Sequence, residues 1–536
     1  MNIAISLMGG LGMFLYGMTL MGEGLQKSAG NKLRRIVELL TKNVIMGVLL
    51  GTVVTGVIQS SSATTVMVVG FVNAGIMTLS QAIGVIMGAN IGTTVTAQLV
   101  SFSMEGLAPL ALSIGIIFYL AFSSDKYKNI AEILIGFGIL FTGMEFMKTA
   151  VEPLSKVPAI TNAFLYFGKN PILGVFAGFA ITGIIQSSSA SMGMLIALAS
   201  QGMIPLSAAL PILYGDNIGT CVTSLISSIG ASRNARRAAL MHLCFNIIGT
   251  LIFILILSKP ISMIVSRMDP TNIPRQIANA HTLFNLTNVI ILLPFSKFIV
   301  ALVTKLVPIK ESEKETLNTT KYLDERMFET PSIALANVIL EVLRMGDKAI
   351  NSLDYAMKGL MEKDGESLKK TFESEKIVNK LQRDISNYLL NLSRHHITDE
   401  DRDLVENLFL TVNDVERISD HAENIAELAT QAKQDDLIFS DKAISELNNI
   451  YSKTRQNVEN SLEALKSMNF ALADFVLSVE DEVNLLEETY RTAHITRLNQ
   501  GVCSIDAGII FLDVLTNLER ISDHSKNIAK SVLDHK

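Results

Sequence analysis

Charged residues are scarce in this 536-residue chain: Asp, Glu, Lys and Arg together make up 18% of it, against 49% hydrophobic residues. The scarcity is uneven. Residues 2–307 are almost continuously apolar, whereas 310–536 is dense in Lys, Glu, Asp and Arg. A chain of this length normally divides into domains, and here two solvent regimes mark two of them. No basic run and a net charge of −6 give no reason to expect nucleic acid. Only three cysteines occur, Cys221, Cys244 and Cys503. They lack metal-ligand spacing, and their odd number argues against a disulfide framework. The first two read as small buried hydrophobes. The N-terminus has no basic residue before its apolar run, an order that disfavours a cleaved signal peptide. No nucleophile–base pair and no nucleotide-binding loop stands out, so an enzyme is not expected.

What is present is hydrophobic length. A bilayer core of about 30 Å takes about 20 apolar residues per helix. Candidate spans are 3–24, 80–101, 107–122, 130–148, 206–229, 238–258 and 281–307. The shorter pieces 44–77 and 171–203, punctuated by Gly and Ser, suit re-entrant or broken helices.

The membrane half is internally duplicated. Gly56-Val57-Ile58-Gln59-Ser60-Ser61-Ser62-Ala63 returns as Gly183-Ile184-Ile185-Gln186-Ser187-Ser188-Ser189-Ala190, a shift of 127 from 59 to 186. Gly88-Ala89-Asn90-Ile91-Gly92-Thr93 returns as Gly215-Asp216-Asn217-Ile218-Gly219-Thr220 in the same register. Charge placement makes the two copies inverted. Lys27, Lys32, Arg34, Arg35 and Lys42 follow the first span, which the positive-inside tendency puts in the cytoplasm. Ser101–Glu105 closes the first repeat with no Lys or Arg, which suits the outside, and 107–122 returns the chain to Lys126 and Lys128 inside. The second repeat then ends inside at Arg233, Arg236 and Arg237, and Lys305 and Lys310 follow two spans later. Lys148, Lys156 and Lys169 would lie outside, against the tendency.

Gln59, Ser60, Ser61 and Ser62, with Gln186, Ser187, Ser188 and Ser189, put two matched sets of donors where lipid is expected. One membrane serine would bond its own helix; two matched clusters point to a ligand. Serine hydroxyls, the Gln amide and the N–H groups of a broken helix suit a tetrahedral oxyanion. Transporters built from inverted repeats use such breaks near the midplane. Asn90, Thr93 and Thr96, with Asn217, Thr220 and Thr223, form a second matched set, read either as cation ligands or as helix-packing hydrogen bonds. Asp216 breaks the symmetry, since Ala89 is its counterpart, and a lone carboxylate at membrane depth is a cation or proton site. His242 and Asn246 echo His281 and Asn285, and ligand and packing readings stay open there. Glu23 and Glu145 lie near span ends and read as interfacial.

These doubled Gln-Ser-Ser-Ser and Asn-Ile-Gly-Thr segments resemble the type II sodium–phosphate cotransporters over residues 1–307. The resemblance implies a phosphate site at 59–62 and 186–189 and sodium ions held by the Ser and Thr positions around them, including Thr220 and Thr223. Met192 in place of Thr65, and Asp216, leave the sodium count open.

Residues 310–330 read as a linker. Beyond Pro331 helical periodicity returns, also duplicated: Glu416-Arg417-Ile418-Ser419-Asp420-His421 recurs as Glu519-Arg520-Ile521-Ser522-Asp523-His524, 103 residues on (416 to 519). Two three-helix repeats in an antiparallel bundle are predicted. Glu416 and Asp420, like Glu519 and Asp523, share a helix face, where like charges repel unless a cation lies between them. Either Arg417 and Arg520 or solvent answer them, or an oxygen-preferring or iron-like metal does. This half resembles the PhoU domain, a regulator of phosphate uptake, and the resemblance implies metal bound by those four carboxylates.

The expectation is therefore an all-α, multi-pass protein of the cytoplasmic membrane. It comprises a membrane domain (1–309, with repeats at 1–105 and 130–237 and extra helices at 238–307), a linker (310–330) and a cytoplasmic six-helix bundle (331–536). Its partners are phosphate, sodium and lipid, with self-association through 238–307 left open. Sodium-coupled phosphate transport is the function this implies. Phosphate export, carriage of another oxyanion and phosphate sensing are its rivals.

Overall fold

The computed structural model describes residues 2–38, 43–102, 104, 106–157, 166, 170–308, 320–395 and 397–534. Among these residues every regular element is helical. The chain divides into two compact units, 1–313 and 314–536.

In the first unit the predicted opening span is the beginning of a much longer helix, α1 (Asn2–Glu38). Lys27 therefore lies within that helix rather than in a loop, ion-paired at 2.8 Å with Glu132. The side chains of Lys32, Arg34 and Arg35, and all of Lys42, Glu105, Lys169 and Lys310, lie outside the description. Next come α2 (Val44–Ile58), α3 (Ser61–Asn73), α4 (Leu79–Gly92), α5 (Thr94–Val100), α6 (Leu107–Ala121) and α7 (Asp125–Ser155). The second copy follows as α8 (Pro171–Ile185), α9 (Ser188–Ser200), α10 (Leu206–Gly219) and α11 (Cys221–Ser227). Helices α2–α5 and α8–α11 thus correspond one to one at the 127-residue shift, broken at the same positions. Lys148 and Lys156, the lysines that offend the positive-inside tendency, each have a carboxylate partner on their own helix, Glu145 and Glu152.

Among the described residues five helical stretches are long and apolar enough to cross a membrane: 3–29, 79–100, 126–155, 233–268 and 273–306. The expected span at 206–229 is not among them: it is broken at Thr220 as 79–100 is at Thr93, but Pro211 and Asp216 also lower its hydropathy. The expected span at 107–122 is a 15-residue helix, too short to be counted with them.

The last two spans begin earlier than expected and are themselves interrupted. Helix α12 (Arg233–Ile252) passes through a π-helical turn at Phe253–Leu257 into α13 (Ser258–Met268). Helix α14 (Ile273–Leu292) passes through a 3₁₀ turn at Leu293–Phe295, carrying Pro294, into α15 (Ser296–Leu306). Their packing repeats the duplication with partners exchanged. Helix α12 lies on α3, α4 and α11, while α14 lies on α9, α10 and α5.

Glycine sets the spacing within each copy. A side chain on Gly88 would strike the Val48 carbonyl of α2, and one on Gly215 would strike the Val175 carbonyl of α8. Small residues let membrane helices approach this closely, where dispersion contacts stand in for the hydrophobic effect.

The second unit is the six-helix bundle: α16 (Pro331–Glu362), α17 (Gly365–Leu392), α18 (Asp399–Gln434), α19 (Asp441–Ser467), α20 (Phe470–Asn499) and α21 (Ile505–Leu533). Helices α16–α18 form one three-helix group and α19–α21 the other, joined where α18 meets α21 and α16 meets α19. The described end of the expected linker is not free. Buried Glu341 accepts the backbone N–H groups of Lys321 and Tyr322 at 2.8 and 2.6 Å, the Tyr388 hydroxyl donates to the Asp324 carbonyl, and Met327 is fully buried. Residues 320–330 thus belong to the bundle.

Gly88→Ala and Gly215→Ala are expected to abolish monodisperse material in detergent. Gly9→Ala, which meets nothing within 4 Å, should leave it unchanged. Size-exclusion profiles of the three variants check this.

Candidate functional site

The first half-site begins where α2 ends. Gln59 caps that helix in the left-handed conformation, φ 59°, and its N–H bonds the Thr55 carbonyl at 2.8 Å. Ser60 is the N-cap of α3, its hydroxyl accepting from the Ala63 amide at 3.1 Å. Two residues thus end one helix and start another. Ser61 and Ser62 occupy the first turn of α3, where backbone N–H groups have no carbonyl of their own helix to bond. The second copy repeats every part: Gln186 at φ 57° closes α8 and Ser187 caps α9 through the Ala190 amide at 3.2 Å, leaving Ser188 and Ser189 in the first turn. Each half-site therefore presents a helix N-terminus, its amides and the positive end of its dipole, among serine hydroxyls.

The Asn-Ile-Gly-Thr segments lie against these breaks. Gly92 abuts the Thr55 side chain and Gly219 abuts Thr182. Asn90 and Asn217 each donate to a carbonyl one turn back, Ile86 at 2.8 Å and Leu213 at 2.9 Å. Thr93 and Thr220 sit at the junctions α4/α5 and α10/α11, while Thr96 and Thr223 lie within α5 and α11. The two half-sites are also brought toward one another, because α3 packs on α11 and α9 packs on α5.

The copies differ in three bonds. In the first, Thr55 donates to Thr64 at 2.9 Å. In the second, Asp216 enters the corresponding space: the Thr182 hydroxyl donates to one carboxylate oxygen, with Ser191, the counterpart of Thr64, beside it. The other oxygen, Oδ2, is buried with no partner. Thirdly, Gln59 is buried and accepts from the Thr96 hydroxyl at 2.9 Å, whereas Gln186 is exposed and the buried Thr223 hydroxyl has no partner. These hydroxyl and amide oxygens with one carboxylate make a donor set of the kind a hard cation takes.

The sequence reading missed Thr55, Thr64, Thr182 and Ser191. Their matched spacing was visible, but nothing in it paired Thr55 with Thr64 or placed Thr182 and Ser191 at Asp216.

In the bundle, Glu416 and Asp420 lie on one face of α18 with Arg417 at 3.8 and 3.4 Å; Glu519 and Asp523 repeat this on α21 with Arg520 at 3.6 and 3.7 Å. The arginines thus answer the carboxylates, the plainer of the two readings. Among the described residues no group of three or more His, Cys, Asp and Glu side chains is arranged to hold a metal. Burial, then the neighbouring Asp420 and Asp523, push the carboxyls of Glu416 and Glu519 above their ordinary range. Glu375 of α17 is raised too, by burial and then by Asp420 and Glu416. Between α18 and α21, His421 bonds Asn517 at 2.9 Å and His524 bonds Asp414 at 2.8 Å. A carboxylate oxygen opposite one histidine and an amide oxygen opposite the other make this seam unequal as well.

The model of the Na+/Pi-cotransporter family matches residues 13–149 and 156–268, and the PhoU domain matches 342–429 and 447–532. The chain thus carries a Na+/Pi-cotransporter domain and a PhoU domain. It is 26% identical, over 99% of its own length and 97% of theirs, to YjbB of Salmonella typhimurium and of Escherichia coli, provisionally named inorganic phosphate export proteins. It is 37% identical over 99 residues to the sodium-dependent phosphate transport protein 2A of Rattus norvegicus, 17% of this chain and 15% of that one. The solved PhoU of Pseudomonas aeruginosa is 25% identical over 37% of this chain and 95% of its own, with a TM-score of 0.36. This is a family of membrane transporters of phosphate, not of enzymes.

A carboxyl whose pKa is higher folded than unfolded favours folding while protonated and loses that advantage as pH rises through the interval. In metal-free protein, Glu416→Gln and Glu519→Gln are therefore expected to raise the bundle's melting midpoint at pH 7 and to leave it unchanged at pH 4. Circular dichroism melts of chelator-treated protein at both values check it, and equal shifts at the two would contradict it.

Proposed function

We propose that this protein carries inorganic phosphate across the cytoplasmic membrane coupled to sodium, by alternating access between two inverted repeats. The observation that carries the reading is the doubled helix break: each Gln-Ser-Ser-Ser segment opens a helix N-terminus among hydroxyls, and each of those helices leans on the short helix of the other repeat. Phosphate is assigned to Gln59–Ser62 and Gln186–Ser189. It meets amides and hydroxyls there without a fixed cationic side chain, which leaves its negative charge to be met by helix dipoles and by sodium. Sodium is assigned to Asn90, Thr93, Thr96, Asp216, Asn217, Thr220 and Thr223, with Thr182 and Ser191 supporting Asp216.

Several contacts favour the inverted arrangement. Asn73, at the end of α3, accepts from the Ser232 amide at the start of α12, so the first hairpin leaves on the face where the arginines of 233–237 begin the next span. Lys27 and Glu132 join α1 to α7, and the inverted scheme puts that pair on the same side. By the positive-inside tendency that face is cytoplasmic, and the chain then delivers residue 308 and the PhoU domain there. In the PhoU domain an oxygen-preferring metal at Glu416, Asp420, Glu519 and Asp523 requires Arg417 and Arg520 to give way. Such a metal would be a regulatory ligand.

Net export is the second reading, favoured by the names of the relatives that match the whole chain. Radiolabelled phosphate flux in proteoliposomes decides. An inward sodium gradient is expected to drive uptake that an equal potassium gradient does not, and Gln59→Ala and Ser188→Ala should each lower it by about tenfold or more, the weight of a lost hydrogen bond to a charged group. Uptake equal in both gradients would overturn sodium coupling. Efflux from preloaded vesicles without sodium-driven uptake would establish the export reading.

A further inference from the structure

The helices outside the two repeats are duplicated as well. Arg236, Ala239, His242, Phe245 and Asn246 on α12 recur as Arg275, Ala278, His281, Phe284 and Asn285 on α14, every one shifted by 39 residues (236 to 275). The register persists in space: Gly249, whose counterpart is Asn288, lies directly against the Asn288 side chain. Arg236 and Arg275 therefore occupy equivalent positions near the starts of α12 and α14, helices that pack on α11 and α5 respectively.

Their surroundings are unequal. Arg275 donates to Gln98 Oε1 and Ser101 Oγ, both at 3.0 Å, and its guanidinium lies 4.1 Å from the centre of the Phe102 ring. Asp269 stands 4.0 Å away and accepts from Asn279 at 3.1 Å. Gln98 in turn donates to Thr282 at 2.9 Å and to Asn279 at 3.2 Å. The end of α5 is thus tied to the start of α14 by a charge-assisted fork with a cation–π contact. At the equivalent place Gln98 is replaced by Leu225, Phe102 by Ile229, Asn279 by Leu240 and Thr282 by Leu243. Arg236 is exposed and makes no side-chain bond among the described residues. Helix α11 is instead held to α12 by a Ser224–His242 contact at 3.3 Å and by Asn246 against the Cys221 sulfur, both weaker in kind. The Gln59–Thr96 bond, made in the first repeat and absent in the second, ties the same short helix α5 a second time.

We infer that Arg275 is the latch of one mouth of the transport path and that the other mouth has none. Arg275 acts as a positioning residue. It holds α5, against which α9 and its serines pack, so that opening on this face requires breaking the fork while opening on the Arg236 face does not. In its transport sense the inference rests on the function proposed above; its first test does not.

Amide hydrogen exchange on the full chain in detergent reads the latch directly. Arg275→Ala and Gln98→Leu are expected to speed exchange across 94–102 by about tenfold, the factor one charge-assisted hydrogen bond is worth. Arg236→Ala should leave 221–229 unchanged. Gln98→Leu installs the side-chain type already present at the counterpart, which guards against simple misfolding. In proteoliposomes the same two variants should change the maximal phosphate flux while leaving the half-saturating phosphate concentration unaltered. Unchanged exchange across 94–102 in both variants, or equal loosening of 221–229 by Arg236→Ala, would overturn the inference. Loss of the exchange effect with sodium-driven uptake intact would sink the latch alone. The exchange effect with no phosphate flux in any variant would sink the transport reading and leave the latch standing.

Discussion

A helix interrupted at membrane depth frees backbone donors and acceptors that no lipid can satisfy. Everything distinctive in the membrane unit follows from meeting that constraint twice. The left-handed Gln turns its N–H back onto its own helix, and the serine that follows caps the next, so each break is two residues wide and covered by its own side chains. Glycines on α2, α4, α8 and α10 bring the flanking helices close enough to seal it. What remains uncovered is the first turn of α3 and of α9, and that is where the donors for an anion are.

Much of this was legible in the sequence because duplication is robust to local ambiguity. A Gln-Ser-Ser-Ser segment alone reads as a polar accident; repeated in register with Asn-Ile-Gly-Thr it gives the breaks, their pairing and the candidate ligands. The six helices of the tail were equally plain from their periodicity and repeat. What periodicity does not carry is where an apolar run stops being one helix. Hence α1 runs on past its expected end, 206–229 breaks at Thr220, and π and 3₁₀ turns interrupt the final spans without a break in hydrophobicity. The role of Thr182 and Ser191 was hidden for another reason: the contact with Asp216 joins three separate helices, and no local spacing encodes it. The shift of 39 residues joining Arg236 to Arg275 was in plain view only as a pair of His-Asn echoes, too short to weigh before packing gave them equivalent neighbours.

The two halves are similar in backbone and unequal in side chains. Asp216 answers Ala89, Leu225 answers Gln98, and Gln186 faces outward where Gln59 is bonded. A duplicated scaffold makes two conformations of similar energy available by exchanging the roles of its halves. The differences bias which is favoured, since a ligand or contact shifts such an equilibrium only by discriminating between the two states.

The left-handed turn at Gln59 and Gln186 has a price in stability that bears on engineering. Glycine takes that conformation freely, whereas a residue with a Cβ gives up about 1–2 kcal/mol to enter it. The chain keeps glutamine at both places, one in each copy, and so forgoes the easier backbone. A search for thermostable variants guided by backbone geometry alone would choose glycine there first, and it would remove the two side-chain amides assigned above to phosphate.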